Sequence, residues 1–137
     1  MADYATSVDI DAPPEVVFAH LVTAEGLVAW MGEHAVVEGR PGGEFTVDIA
    51  GSPVRGRYLE VDAPHRVVVS WGIAGSPELP PGTSRVEFLL TAKPGGGTRL
   101  DLRQTGLPEV QEPAYARGWT HYLRVLAGVA AQQQAID

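Results

Sequence analysis

The side chains best able to do chemistry in this sequence are aromatic. Trp30, Trp71 and Trp119, with Phe88, Tyr115 and Tyr122, offer flat apolar surfaces on which a planar lipophilic molecule can stack. The two phenols can also orient a ligand's polar group. Core packing competes with this reading at every position and accounts for most such residues on a helix that faces a sheet. Trp71 is the better cavity candidate because it ends a strand beside a Pro-rich segment. Titratable groups offer less. His20, His34, His65 and His121 lack the paired spacing of a helical zinc motif, and there is no cysteine to complete a site, so no metal and no cofactor are expected. Glu33 and His34 adjoin Trp30, but no convergent partner marks either as a base. Ser52 and Ser76 lie in turns without a nucleophile-elbow pattern, and Glu44 and Asp48 share a strand face too far apart to couple. No catalytic constellation is visible.

Other clusters have plain structural readings. The glycines between Gly39 and Gly43, and between Gly95 and Gly97, separate strands and do not open helices, so they lack the helix dipole that cradles phosphate. Arg55, Arg57, Arg99 and Arg103 have Glu60 and Asp101 nearby, which suggests solvated cross-strand pairing. A formal net charge of -7 argues against a nucleic-acid surface and against an anionic membrane. No apolar run is long enough to span a bilayer or resembles a signal peptide, and a cytoplasmic location is expected. The 137 residues, 45% of them hydrophobic, suffice for one core, and a single domain over 1–137 is expected.

The elements that must position the aromatics can be read from periodicity. Val110 to Ile136 carries Tyr115, Trp119, Tyr122, Leu123, Leu126 and Val129 at helical spacing, which predicts one long amphipathic helix. Tyr4 to Ile10 alternates as a strand until Pro13 and Pro14 stop it. Val17, Phe18 and Leu21 predict a short helix, and Thr23 caps a second running to Trp30. Strands follow near Ala35 to Glu38, Glu44 to Ala50, Val54 to Val61, Arg66 to Gly72, Ser84 to Ala92 and Thr98 to Thr105, separated by turn residues. Val67, Val69 and Trp71 share a greasy face with Val86, Phe88, Leu90, Leu100, Leu102 and Gln104, while Arg85, Glu87, Arg99, Asp101 and Arg103 point the other way. Gly75 to Thr83, rich in proline, is expected to be a mobile rim loop.

A strand, two short helices, a six-strand meander and a long final helix is the order of the α+β helix-grip fold, in which a curved antiparallel sheet wraps around that helix. The segments APPEVVF (Ala12 to Phe18), RPGGEF (Arg40 to Phe45), GRYLEVDAPHRVVVSW (Gly56 to Trp71), GGTRLDLRQTGL (Gly96 to Leu107) and GWTHYLRVL (Gly118 to Leu126), with Trp30, resemble one branch of the START-like (SRPBCC) superfamily. That branch is the activator of heat-shock-protein-ninety ATPase homologue family. The resemblance implies a cavity between helix and sheet, and relatives that variously bind lipophilic molecules, act as cyclases or assist the chaperone. Similar sequences often carry histidine where this chain has Gln104, which speaks against a histidine-dependent role. Only the analogy to cyclases brings in Glu44 as a cavity acid. Eukaryotic activators carry a further amino-terminal domain that this chain, opening on its first strand, is not expected to hold.

The function expected is therefore binding of a small, mostly hydrophobic molecule between sheet and helix, with no catalytic constellation that would mark an enzyme. Trp30, Trp71, Phe88, Gln104, Tyr115, Trp119 and Leu123 are the expected ligand-binding residues, with Gln104 supplying a donor and an acceptor to the ligand's polar end. The alternatives are a chaperone-facing interaction module and, third, a polyketide-cyclase-like enzyme.

Overall fold

Period-two patterning sets the strands, and proline, glycine and capping residues set their ends. In the computed structural model, which describes residues 2–136, the order is β1 (Ala2–Ile10), α1 (Pro14–Val22), α2 (Ala24–Val28), β2 (His34–Val37), β3 (Glu44–Ile49), β4 (Ser52–Asp62), β5 (Arg66–Trp71), β6 (Ser84–Ala92), β7 (Thr98–Leu107), a 3-10 turn (Glu109–Gln111) and α3 (Glu112–Ile136). Pro14 opens α1, where a missing N–H costs nothing, and Thr23 caps α2 by accepting from the Gly26 N–H at 3.0 Å. The long helix begins two residues later than its apolar stripe suggests. Pro113 suits the first turn of a helix, and the preceding residues close the separate 3-10 turn.

The seven strands form one antiparallel sheet ordered β1-β7-β6-β5-β4-β3-β2. Consecutive strands from β2 onward are neighbours, and β1 returns to pair with β7 at Val8↔Leu100. Cross-strand register aligns Val67 with Phe88 and Phe88 with Leu102, so the inward rows are continuous. On the outer face Arg66 reaches Glu60 at 3.1 Å and Glu87 at 2.7 Å, while Arg103 faces Asp3 at 3.4 Å. Such exposed pairs contribute roughly 0–1 kcal/mol each, so the inner face carries the stability. This is the helix-grip arrangement.

A bulge between Tyr58 and Glu60 interrupts the β4–β5 register and helps the sheet curve. At Gly56 a Cβ would run into the Ser70 carbonyl oxygen, so only glycine lets β4 and β5 approach there. Tyr58 is fully buried, and its hydroxyl donates to the Leu21 carbonyl at 2.7 Å, tying the bend to the end of α1. Burial pushes its phenol well above the ordinary pKa. Helix α3 buries Trp119, Leu123, Leu126 and Ala130 and packs against β1 and α1.

The segment expected to be a mobile rim is anchored. Leu79 is fully buried, its N–H donates to Ser76 Oγ at 3.0 Å, and its carbonyl accepts from the Ile73 N–H at 2.7 Å. One apolar side chain among the prolines pins the loop to the core. Among the described residues, no helix is long and apolar enough to cross a membrane.

Candidate functional site

Helix α3 lies close to β1 and α1, and where its first turns face the β3–β4 hairpin an apolar cavity of about 230 Å³ is left. The helix contributes Ala114, Tyr115, Gly118, Trp119 and Tyr122. The hairpin contributes Ile49, Ser52 and Val54, the end of β5 adds Trp71 and Ile73, and Met31 follows α2. No wall residue carries a charge. Its polar groups are the Ser52, Tyr115 and Tyr122 hydroxyls and the Trp71 indole N–H, which donates to the Tyr115 hydroxyl at 3.0 Å. Burial raises the Tyr115 pKa and the Trp71 bond partly offsets it, so the phenol keeps its proton at neutral pH.

Trp119, itself part of the wall, is the centre of an aromatic cluster that extends into the core behind it. Its ring centroid is 5.5 Å from that of Trp71, 6.0 Å from Phe88 and 6.5 Å from Trp30. Its indole N–H donates to Gln104 Oε1 at 2.8 Å, Gln104 Nε2 donates to Ser84 Oγ at 3.0 Å, and Ser84 Oγ donates to the Thr105 carbonyl at 2.7 Å. This buried relay fixes the plane of Trp119 and hence one wall of the cavity. Phe45, 5.9 Å from Trp71, buttresses the other.

The sequence profile described as "Activator of Hsp90 ATPase homolog 1-like protein" matches residues 11–131, nearly the whole chain. The chain belongs to this AHSA1-like family. Among solved structures, an AHSA1-like protein from Rhizobium etli is 40% identical, with a TM-score of 0.72 over 95% of this chain and 83% of that one. A Mesorhizobium loti protein shares the fold at a TM-score of 0.82, with 23% identity over 96% of this chain and 98% of that one. The Aha1 dimer from Colwellia psychrerythraea gives 0.79 at 20% identity, over 96% and 97% of the two chains. No curated protein matches at a significant level.

Within this AHSA1-like fold, Trp71, Tyr115 and Trp119 stand together in the cavity wall. Trp30, Phe88, Leu123 and Gln104 do not. Trp30 is buried behind Trp119 with its N–H donated to the His20 carbonyl at 2.8 Å, away from any mouth. Phe88 and Leu123 are core residues of the same cluster. Gln104, expected to hold a ligand's polar end, is fully buried, and both ends of its amide are engaged by Trp119 and Ser84. Glu44 is exposed, accepts from Thr46 Oγ1 at 2.7 Å and is absent from the wall, so it offers no cavity acid. His34, His65 and His121 are exposed, and among the described residues no group of three or more His, Asp or Glu is placed to hold a metal ion.

Sequence reasoning missed Met31, Ile49, Val54, Ile73, Ala114 and Gly118 as wall residues, and left Ser52 in a turn. Period two extends Phe45 and Val47 to Ile49, and Val54 back to Ser52, so the hairpin contribution was readable. Gly118 was harder. It lies three residues after Tyr115 on the same helix face, but only the structure shows that a Cβ there would meet nothing within 4 Å.

Larger concavities exist elsewhere. One of about 490 Å³ on the outer sheet face is bordered by Arg66, Arg85, Arg103, Glu60 and Glu87. Its central Arg66 is already held by two carboxylates, which suits a solvated surface better than a lipophilic site.

Proposed function

We propose that this protein binds a compact, uncharged, lipophilic molecule in the cavity between the first turns of α3 and the β3–β4 hairpin. The observation that carries this reading is an apolar cavity, free of charged side chains, walled by Trp71, Trp119, Tyr115 and Tyr122. At about 230 Å³ it is smaller than the roughly 300–1,000 Å³ of drug-sized sites, so one or two fused rings suit it. Gly118 supports the same reading. Glycine inside a helix costs about 1 kcal/mol relative to alanine, and this one leaves space over the cavity that any side chain would occupy.

The test is titration with a naphthalene-based lipophilic fluorophore, for which micromolar binding, about -8 kcal/mol, is expected. Trp71→Ala should weaken it about tenfold or more, equivalent to about 1.4 kcal/mol, while Arg103→Ala on the outer face should not. Gly118→Leu should abolish binding by filling the cavity. Gly128→Leu, on the same helix and also with open space around its Cβ, should leave binding intact. Neither glycine replacement should unfold the helix, because leucine has the higher helix propensity. Equal binding by both leucine variants would overturn the assignment of the site.

The family's description favours a second reading, a surface that engages a chaperone ATPase. Acceleration of Hsp90 ATP turnover by this protein, unaffected by Gly118→Leu, together with no saturable fluorophore binding, would promote that reading over the first.

A further inference from the structure

The cavity's hydrogen-bonding groups are unequally committed, and this bears on which uncharged ligand it takes. A phenol has one donor and two acceptor lone pairs. At Tyr115 one lone pair receives the Trp71 indole N–H at 3.0 Å, while the phenol's own O–H has no acceptor among the described residues. The other two indoles are also committed, Trp30 to a backbone carbonyl and Trp119 to Gln104. Trp71 is buried and held by Phe45 on one side and Trp119 on the other, with centroids at 5.9 and 5.5 Å. It therefore fixes the position of the Tyr115 oxygen. Accepting a hydrogen bond also polarises a hydroxyl and makes it the stronger donor, more so in a poorly solvated site.

Resting on the cavity assignment above, we propose that the site selects flat ligands bearing a carbonyl oxygen, with the Tyr115 O–H as donor to it and Trp71 as the residue that positions that donor. A ligand carboxylate would enter a wall with no cation to balance it, and an ammonium would find no anion. An uncharged aryl ketone avoids both costs. Its oxygen accepts near the plane of the carbonyl, so a donor held in a fixed position in a largely apolar wall is enough to orient the whole ring system.

The test compares acetylnaphthalene with isopropenylnaphthalene, which have nearly the same shape and differ in replacing the carbonyl oxygen by a methylene. Both would be measured by displacement of the fluorophore, in the wild type and in Tyr115→Phe. The ketone should lose about tenfold in affinity on Tyr115→Phe, the size expected for one hydrogen bond, while the hydrocarbon should change by less than about twofold. The carbonyl stretch of bound, isotopically labelled ketone should shift to lower frequency in the wild type and return on Tyr115→Phe. Trp71→Phe, which keeps a ring but removes the N–H, should weaken the ketone more than the hydrocarbon. If Tyr115→Phe weakens both probes equally, or neither, with an unmoved carbonyl band, the donor role is wrong although the cavity still binds. If the wild type binds neither probe, the cavity assignment and this proposal fall together.

Discussion

Trp119→Ala is expected to destabilise the protein by about 3–5 kcal/mol, the cost of emptying a large aromatic site in a packed core. Four contacts converge on this side chain. Its ring meets Trp71, Phe88 and Trp30, and its N–H is donated to Gln104 at 2.8 Å. Truncation removes the apolar burial, leaves a void between α3 and the sheet, and strands the Gln104 carbonyl without its donor. Against a total stability of about 5–15 kcal/mol, that loss is a large fraction. Urea denaturation should show the midpoint falling with little change in slope, since the surface exposed on unfolding is nearly the same. An unchanged midpoint would show that this helix face is not the seam of the core. Trp119→Phe should cost less, because a ring remains to fill part of the space.

The same residue shows what the sequence makes legible. Trp119, Leu123 and Leu126 recur at helical spacing, and Val86, Leu100 and Leu102 alternate with charges, because one buried face imposes one period on each element. The fold could therefore be read with strand ends displaced by a residue or two. The site was less legible, because a cavity is a property of where packing fails. Nothing in the types of Trp30 and Trp71 says that, of two equally buried indoles, one forms part of the cavity wall and the other does not. Helix α3 packs against β1 and α1, elements far from it along the chain, and no local pattern around either tryptophan records that packing. Leu79 makes the same point. A lone leucine among prolines has no periodicity to reveal it, yet its burial decides that the loop is fixed.

Gln104 is the residue whose role changed most between sequence and structure, and its replacement gives the second large effect. Gln104→Leu preserves most of the side-chain volume and removes both amide groups. The Trp119 N–H then has no acceptor in a buried site, which costs roughly 1–3 kcal/mol. Ser84 loses a donor, but its own hydroxyl still reaches the Thr105 carbonyl at 2.7 Å, so the loss on that side is smaller. Leucine's better burial offsets part of the penalty, and a net destabilisation of about 2 kcal/mol is expected. The decisive measurement is a cycle with Trp119→Phe. Phenylalanine has no N–H to strand, so Gln104→Leu should cost at least about 1 kcal/mol less in that background than alone, since removing both partners of a buried bond is cheaper than removing one. Equal costs in the two backgrounds would mean that the Trp119–Gln104 bond contributes nothing specific. If the bond does hold the plane of Trp119, Gln104→Leu should also broaden the fluorophore's binding range, because a wall free to tilt accepts shapes that the fixed wall excludes.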